Sequence, residues 1–249
     1  MVMLQIKNIK KAFGERTVLD SLNLEIIKGK VYTLIGSNGS GKTTLFNIIT
    51  GFIKPESGSV RFDGKKILNK KPYNITKMGL SRTFQDLRLI KNLTVKENII
   101  ISFANNSSEN IFKAMLPHNS RKVLTSTLSK KADEILDAVS LLDEKDKSAG
   151  EISFGQQKLL TLGCCLAADS SMLLLDEPVA GIDTDNYEKI KNIICKLKSV
   201  GKTILQIEHN VDFIESVSDE ILFLNEGKIS RFNSYGDFAA NELVRQTYQ

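Results

Sequence analysis

The sequence has no apolar run approaching the roughly 18 residues that cross a bilayer as a helix, and its longest apolar stretches are strand-sized. Its start, Met1 to Lys10, alternates like a strand and lacks the apolar block of a signal peptide. These two absences predict a chain that stays in the cytoplasm. Cysteine is scarce as well: Cys164, Cys165 and Cys195 are odd in number, lack metal-ligand spacing, and two of them sit in an apolar helical run. All three are read as reduced and structural. No block of like charge exists; the net charge of +5 is spread along 249 residues. Such a balance suits an anionic membrane surface and equally suits solvated lysines, and it does not argue for nucleic acid. A long heptad insertion is missing, and no Asn-Lys-x-Asp pattern for guanine is present. What is present is an ordinary globular composition, 41% apolar and 25% charged, ample for one large domain or two modest ones.

Against that background one stretch stands out: Gly36-Ser37-Asn38-Gly39-Ser40-Gly41-Lys42-Thr43-Thr44. Its glycines let the backbone curl into a nest whose N–H groups point at phosphate oxygens. A helix beginning near Lys42 adds its positive dipole end to the same place. Lys42 brings a full positive charge to the β- and γ-phosphates, and the Thr43 hydroxyl is placed for a magnesium ion. Upstream, Val31 to Ile35 reads as a buried strand; downstream, Leu45, Ile48 and Ile49 continue as a helix face. The stretch therefore predicts a protein that binds a nucleoside triphosphate.

Around this unit the first eighty or so residues alternate strands and turns, with strands over Leu4 to Lys7, Leu22 to Ile26 and Ser59 to Phe62. From about Asp86 to Ala168 the pattern turns helical, with Leu128, Ala132, Ile135, Leu136, Val139 and Leu142 at three-to-four spacing. The polar segment Ala104 to Ser129, which contains His118, reads as a surface excursion. Met172 to Leu175 is a short apolar run, read as a central parallel strand. A helix with Tyr187, Ile190, Ile193, Ile194 and Leu197 on one face follows it. A strand over Thr203 to Ile207, another helix, and a closing strand pair at Ile221 to Leu224 and Lys228 to Phe232 complete an α/β order.

The second apolar strand ends in Asp176-Glu177-Pro178, two carboxylates at the carboxyl end of a buried strand, where ligands bind in open α/β sheets. Beside a phosphate loop, Asp176 is the candidate magnesium ligand. Glu177 is the candidate base that orients and deprotonates the attacking water. At Ile152-Ser153-Phe154-Gly155-Gln156-Gln157, Ser153 caps a helix and Gln156 completes a capping box; such a helix start is also an anion site.

The ordered series GSNGSGKTT, Thr83-Phe84-Gln85, ISFGQQ, MLLLDEP, Ala180-Gly181-Ile182-Asp183 and His209 resembles the ATP-binding cassette family over essentially the whole chain. The resemblance implies an α/β fold: a P-loop NTPase nucleotide-binding domain of the cassette type, with a β-rich lobe and a helical subdomain. It would be a single domain over 1–249, with the helical subdomain at about 86–168 and a short C-terminal segment at about 234–249. It implies ATP and magnesium as ligands and a head-to-tail dimer in which Ser153, Gly155 and Gln156 face the partner's γ-phosphate. Gln85 would reach the magnesium and the attacking water, His209 the γ-phosphate, and Phe13 the adenine ring; a core aromatic is the other reading of Phe13. Asp183 would link the two active sites. Phe154 departs from the commoner signature, which carries a glycine there.

A single cassette without a spanning segment implies the detached ATPase subunit of a transporter. Leu80 to Ile90, then Asn92 to Asn98, and the tail Asn241 to Tyr248 resemble the ATP-binding subunits of branched-chain amino-acid uptake systems. Subunits serving urea, amides or lipopolysaccharide share much of this pattern. The alternative from another class is an ATP-switched protein acting on nucleic acid or ribosomes. On the transport reading the partners are integral membrane permease subunits, a second ATPase subunit and, indirectly, an extracytoplasmic solute-binding protein. No nucleic acid is expected, and the chain would lie on the cytoplasmic face of the membrane.

Overall fold

The computed structural model describes residues 1–84, 87–103 and 118–248. Its strands, in chain order, are β1 (Val2–Phe13), β2 (Arg16–Ile27), β3 (Val31–Ile35), β4 (Ser57–Phe62), β5 (Lys65–Lys66), β6 (Leu80–Arg82), β7 (Met172–Asp176), β8 (Thr203–Ile207), β9 (Glu220–Asn225) and β10 (Lys228–Phe232). The helices are α1 (Lys42–Ile49), α2 (Pro72–Lys77), α3 (Val95–Phe103), α4 (His118–Ala138), α5 (Phe154–Ala167), α6 (Thr184–Ser199), α7 (Val211–Val217), α8 (Tyr235–Ala240) and α9 (Glu242–Tyr248).

The strands build two sheets among the described residues, an antiparallel one ordered β2-β1-β4-β5 and a second ordered β10-β9-β3-β8-β7-β6. In the second, β6, β7, β8, β3 and β9 run parallel, and β10 closes the edge antiparallel. Residues 31–35, 172–176 and 203–207 are buried throughout, because a parallel sheet covered on both faces leaves no polar side. Alternation still sorts their side chains. Tyr32, Leu34, Met172, Leu174 and Leu205 join α1 and the antiparallel sheet in one core. Val31, Leu173, Leu175 and Ile204 point the other way, into a core shared with α3, α4, α5 and α6. A third, smaller core joins Ile35, Ile214 and Phe223 to Phe238 and Val244 of the C-terminal helices.

Three elements differ in extent from the expectation. β1 and β2 each run for 12 residues, well beyond Leu4 to Lys7 and Leu22 to Ile26. Bulges interrupt their pairing between Ile6 and Ile9, with Asn8 and Ser21 at φ of 50° and 51°, so the apolar alternation breaks while the ladder continues. α4 starts at His118, inside the segment read as a polar excursion, because a polar helix start carries no apolar period to announce it. Among the described residues no helix is long and apolar enough to cross a membrane.

The topology gathers the predicted site. β3, β7 and β8 are neighbours, and the phosphate loop, Asp176-Glu177 and His209 all follow their carboxyl ends. β6 brings Arg82 and Thr83 to the same edge.

Candidate active site

The loop between β3 and α1 is shaped by its backbone. Gly41, the residue before α1, lies at φ 106°, and a Cβ there would meet Val18 Cγ1 at 2.8 Å. No side chain caps α1, and its first turn holds no acidic residue, so the helix N-terminus keeps its partial positive charge and open N–H donors. Lys42, almost wholly buried, donates to Gly36 O at 2.6 Å and Ser37 O at 3.0 Å. Burial pushes its ammonium below the ordinary value, while the nearby Glu177 and Asp176 carboxylates pull the other way. Ser40 Oγ is buried without a hydrogen-bond partner. Thr43 is exposed and Thr44 half-buried, while Asn38 and Gly39 lie open on the surface. Ser37, Asn38, Gly39 and Ser40 form one wall of a crevice of about 390 Å³ completed by Arg16, Val18 and Asn225. Phe13 closes β1, half-exposed, with Lys11 Nζ 4.9 Å from its ring centroid; it is not a core aromatic, and it does not line that crevice.

Asp176 ends β7 with Arg82 Nη2 on its Oδ2 at 3.0 Å, both side chains buried. The same guanidinium donates to Asn47 of α1 at 2.6 Å and lies over Phe46 and Phe84. Thr83 Oγ1 accepts the Asp176 N–H at 3.0 Å. Glu177 has φ 50°, a left-handed backbone unusual for a side chain this long. Its N–H donates to Ile207 O at 2.9 Å, and its carbonyl accepts from Lys158 Nζ at 2.6 Å.

His209 follows β8, exposed, its backbone N–H on Glu208 Oε2 at 2.9 Å. Glu208 itself is buried and reaches Val179 N with its other oxygen at 2.9 Å, stitching the turn after Glu177 to the His209 loop. Gln85 lies outside the described residues.

Ser153 and Gln156 form the expected capping box: Ser153 Oγ accepts from Gln156 N at 3.2 Å, and Gln156 Oε1 accepts from Ser153 N at 2.9 Å. No hydrogen bond among the described residues joins Ser153, Gly155 or Gln156 to the phosphate loop. Instead α5 starts against the segment after Glu177. A Cβ on Gly155 would fall 2.5 Å from Asn186 Nδ2, and the Asn186 amide is held by Asp183 Oδ2 at 2.6 Å. The two Asn186 N–H donors, backbone first, keep the Asp183 carboxyl below its usual range. The cysteine reading holds for two positions: burial pushes the Cys164 thiol up to about 11 and the Cys165 thiol up to about 12. Cys195 faces solvent on α6 and packs against no core.

The residues present fit a nucleotide and a small hard cation. An uncapped helix end, an orphaned Ser40 hydroxyl and a buried lysine converge at the loop. Among the described residues no cluster of three or more His, Cys, Asp or Glu could cage a metal. A cation at Asp176 and Thr43 would have one or two protein oxygens and need phosphates and water for the rest, which is how magnesium is held at triphosphates. Sequence reading did not single out Arg82, Lys158, Asn186 or Glu208; each acts on a residue distant in sequence or through burial that no local pattern encodes.

Residues 19–180 match the family described as ABC transporter. A probable branched-chain amino acid transport ATP-binding protein of Methanocaldococcus jannaschii is 37% identical over 233 residues, 92% of this chain and 88% of that protein. A solved ATP-binding cassette of an ABC transporter in its ADP conformation superposes with a TM-score of 0.83 at 35% identity, covering 100% of this chain and 98% of the other. A dimeric cassette in a post-hydrolysis state bound to ADP and Pi does so with a TM-score of 0.76 at 28% identity, covering 93% of this chain and 98% of the other.

Proposed function

The chain belongs to the ABC transporter family and is the ATP-hydrolysing subunit of a transporter with a membrane permease, and from that premise we propose that it powers import of branched-chain amino acids. What favours this solute is the Methanocaldococcus jannaschii relative, a probable branched-chain amino acid transport ATP-binding protein, at 37% identity over nearly the whole chain. The observation that carries the mechanism is the gathering of Lys42, Asp176 and Glu177 at the carboxyl ends of β3 and β7, parallel strands that flank β8.

On this reading Lys42 leaves the Gly36 and Ser37 carbonyls for the β- and γ-phosphates, and the loop N–H groups and the Ser40 hydroxyl take the remaining oxygens. Magnesium, when bound by Thr43, Asp176 and Gln85, would neutralise charge on the phosphate oxygens. Glu177 accepts the proton of the attacking water as it meets the γ-phosphorus in line, and His209 donates to the γ-phosphate. Phe13 would stack on adenine. A second cassette supplies Ser153, Gly155 and Gln156 to complete the site. The cleft beneath residue 84, about 280 Å³ and lined by Phe52, Tyr73, Arg82, Phe84, Arg88 and Ile101, receives the permease. Phe52, Tyr73 and Ile101 are close to half exposed there, which suits an apolar protein segment. The chain thus works on the cytoplasmic face of the membrane, with a solute-binding protein on the far side.

Glu177→Gln tests the chemistry: ATP affinity should stay the same while turnover falls about a thousandfold. Normal turnover in that variant would remove Glu177 as the base. Uptake of radiolabelled leucine in cells lacking this subunit tests the solute; unchanged uptake in cells with no redundant system would remove the amino-acid reading.

A further inference from the structure

The Lys158 side chain is unusual because it leaves its own helix to finish the backbone of another element. It rises from the second turn of α5 and donates from Nζ to the carbonyl of Glu177 at 2.6 Å. That carbonyl belongs to a residue at φ 50°, a conformation costing on the order of 1 kcal/mol for a non-glycine residue and kept only where neighbours hold it. The holders are few. Ile207 O takes the Glu177 N–H at 2.9 Å; Lys158 takes the carbonyl, and Ala180 N reaches it only at 3.3 Å.

The ammonium is placed at a cost. Burial lowers the pKa of Lys158, and the carboxylates of Glu208, Glu177 and Asp176 oppose that shift. Lys158 is half-buried, so its charge is only partly solvated and gains from neighbouring partners. Among the described residues its one hydrogen bond goes to a neutral carbonyl, with the negative groups around it. The half-exposed Phe154 ring lies with its centroid 5.3 Å from Nζ.

We propose that Lys158 is a positioning residue for hydrolysis: by pinning the left-handed Glu177 peptide it aims the carboxylate, and so joins α5 of each subunit to that subunit's own catalytic base. This rests on the reading of Glu177 as the group that activates water. Ser153 and Lys158 are five residues apart on one helix, roughly 7.5 Å along its axis. A phosphate that draws Ser153 toward it therefore moves Lys158, and with it the Glu177 peptide. The same helix start is keyed to the following segment at Gly155, against Asn186, and at Phe154, whose ring lies beside Gly181. Completion of one nucleotide site is thereby felt at the base of the other.

The test uses Lys158→Met, which keeps the apolar stem and removes the ammonium, and Lys158→Arg, which restores a cation. In the purified chain, Lys158→Met should lower kcat for MgATP about tenfold at unchanged KM and unchanged equilibrium ATP affinity, since small misplacements of a reacting group cost rate before binding. Lys158→Arg should recover most of the rate. In a Glu177→Gln background, adding Lys158→Met should cause no further loss of the residual single-turnover rate. The proposal is overturned by a kcat within twofold of the parent, by a loss carried in KM or ATP affinity that arginine does not restore, or by the same tenfold factor recurring in the Glu177→Gln background. Normal turnover in Glu177→Gln alone would remove the base assignment separately, whatever Lys158→Met does.

Discussion

Two helix starts in this molecule are read as phosphate contacts, α1 after the phosphate loop and α5 after Ser153, and they are built in opposite ways. α1 begins at a glycine with no side-chain cap and no acidic residue in its first turn, so its donors are open. α5 begins with a complete capping box, in which Ser153 and Gln156 satisfy each other's backbone N–H groups. An uncapped start attracts an anion unaided. A capped start has spent its nearest donors, but the Ser153 hydroxyl accepts from Gln156 N and still has its own proton to donate. The first helix can therefore hold a nucleotide within one chain, while the second adds a single hydrogen bond to a phosphate brought to it. The difference fits the proposed site, in which one chain binds ATP and a second chain completes it.

Three substitutions sharpen that contrast. The largest effect belongs to the open start: Lys42→Met removes the only charged donor of the loop and should weaken ATP binding about a hundredfold, the weight of a charge-assisted hydrogen bond. Titration with a fluorescent ATP analogue measures it, and unchanged affinity would mean that backbone donors alone carry the binding. Gly155→Ala comes next. The added Cβ meets the Asn186 amide at 2.5 Å, and overpacking of this kind costs about 1–3 kcal/mol, a fall of several degrees in thermal midpoint with ATP affinity unchanged. A paired Asn186→Ala should regain part of that; no recovery would place the strain elsewhere. Ser153→Ala is the mildest, losing about 1 kcal/mol of capping and roughly 2–4 °C in thermal midpoint. Its ATP affinity in the single chain should equal the parent's. Weaker binding there would erase the distinction between the two starts.

The same contrast shows what sequence could reveal. The phosphate loop, the capping box and the Asp176-Glu177 strand end are local patterns, and each stands where its spacing placed it. The partners of those residues are not local. The resemblance has Gly155 face a phosphate, yet the space its missing side chain vacates is filled by Asn186, which lies well beyond it in sequence. Glu208 reads as a strand-end carboxylate beside a histidine; only the fold shows it buried and bonded to Val179 N. β6 has three residues, too few for any period to register, and its place beside β7 is set by pairing. In β1 and β2 the bulges break the alternation without ending the ladder, so the apolar pattern marks only part of each 12-residue strand.

Arg82 carries a consequence of its own. One face of its guanidinium lies under the Phe84 ring in the cleft proposed to receive the permease, and one edge holds Asp176, the proposed magnesium ligand. Any cation drawn to Asp176 competes with that edge, and any segment pressing on the cleft acts on that face. By thermodynamic reciprocity, whatever factor the seated segment applies to cation affinity, the cation must apply to the affinity for the segment. On the proposed reading a single side chain would serve as the exchange point between a mechanical input and an ionic one, and either could be read by measuring the other.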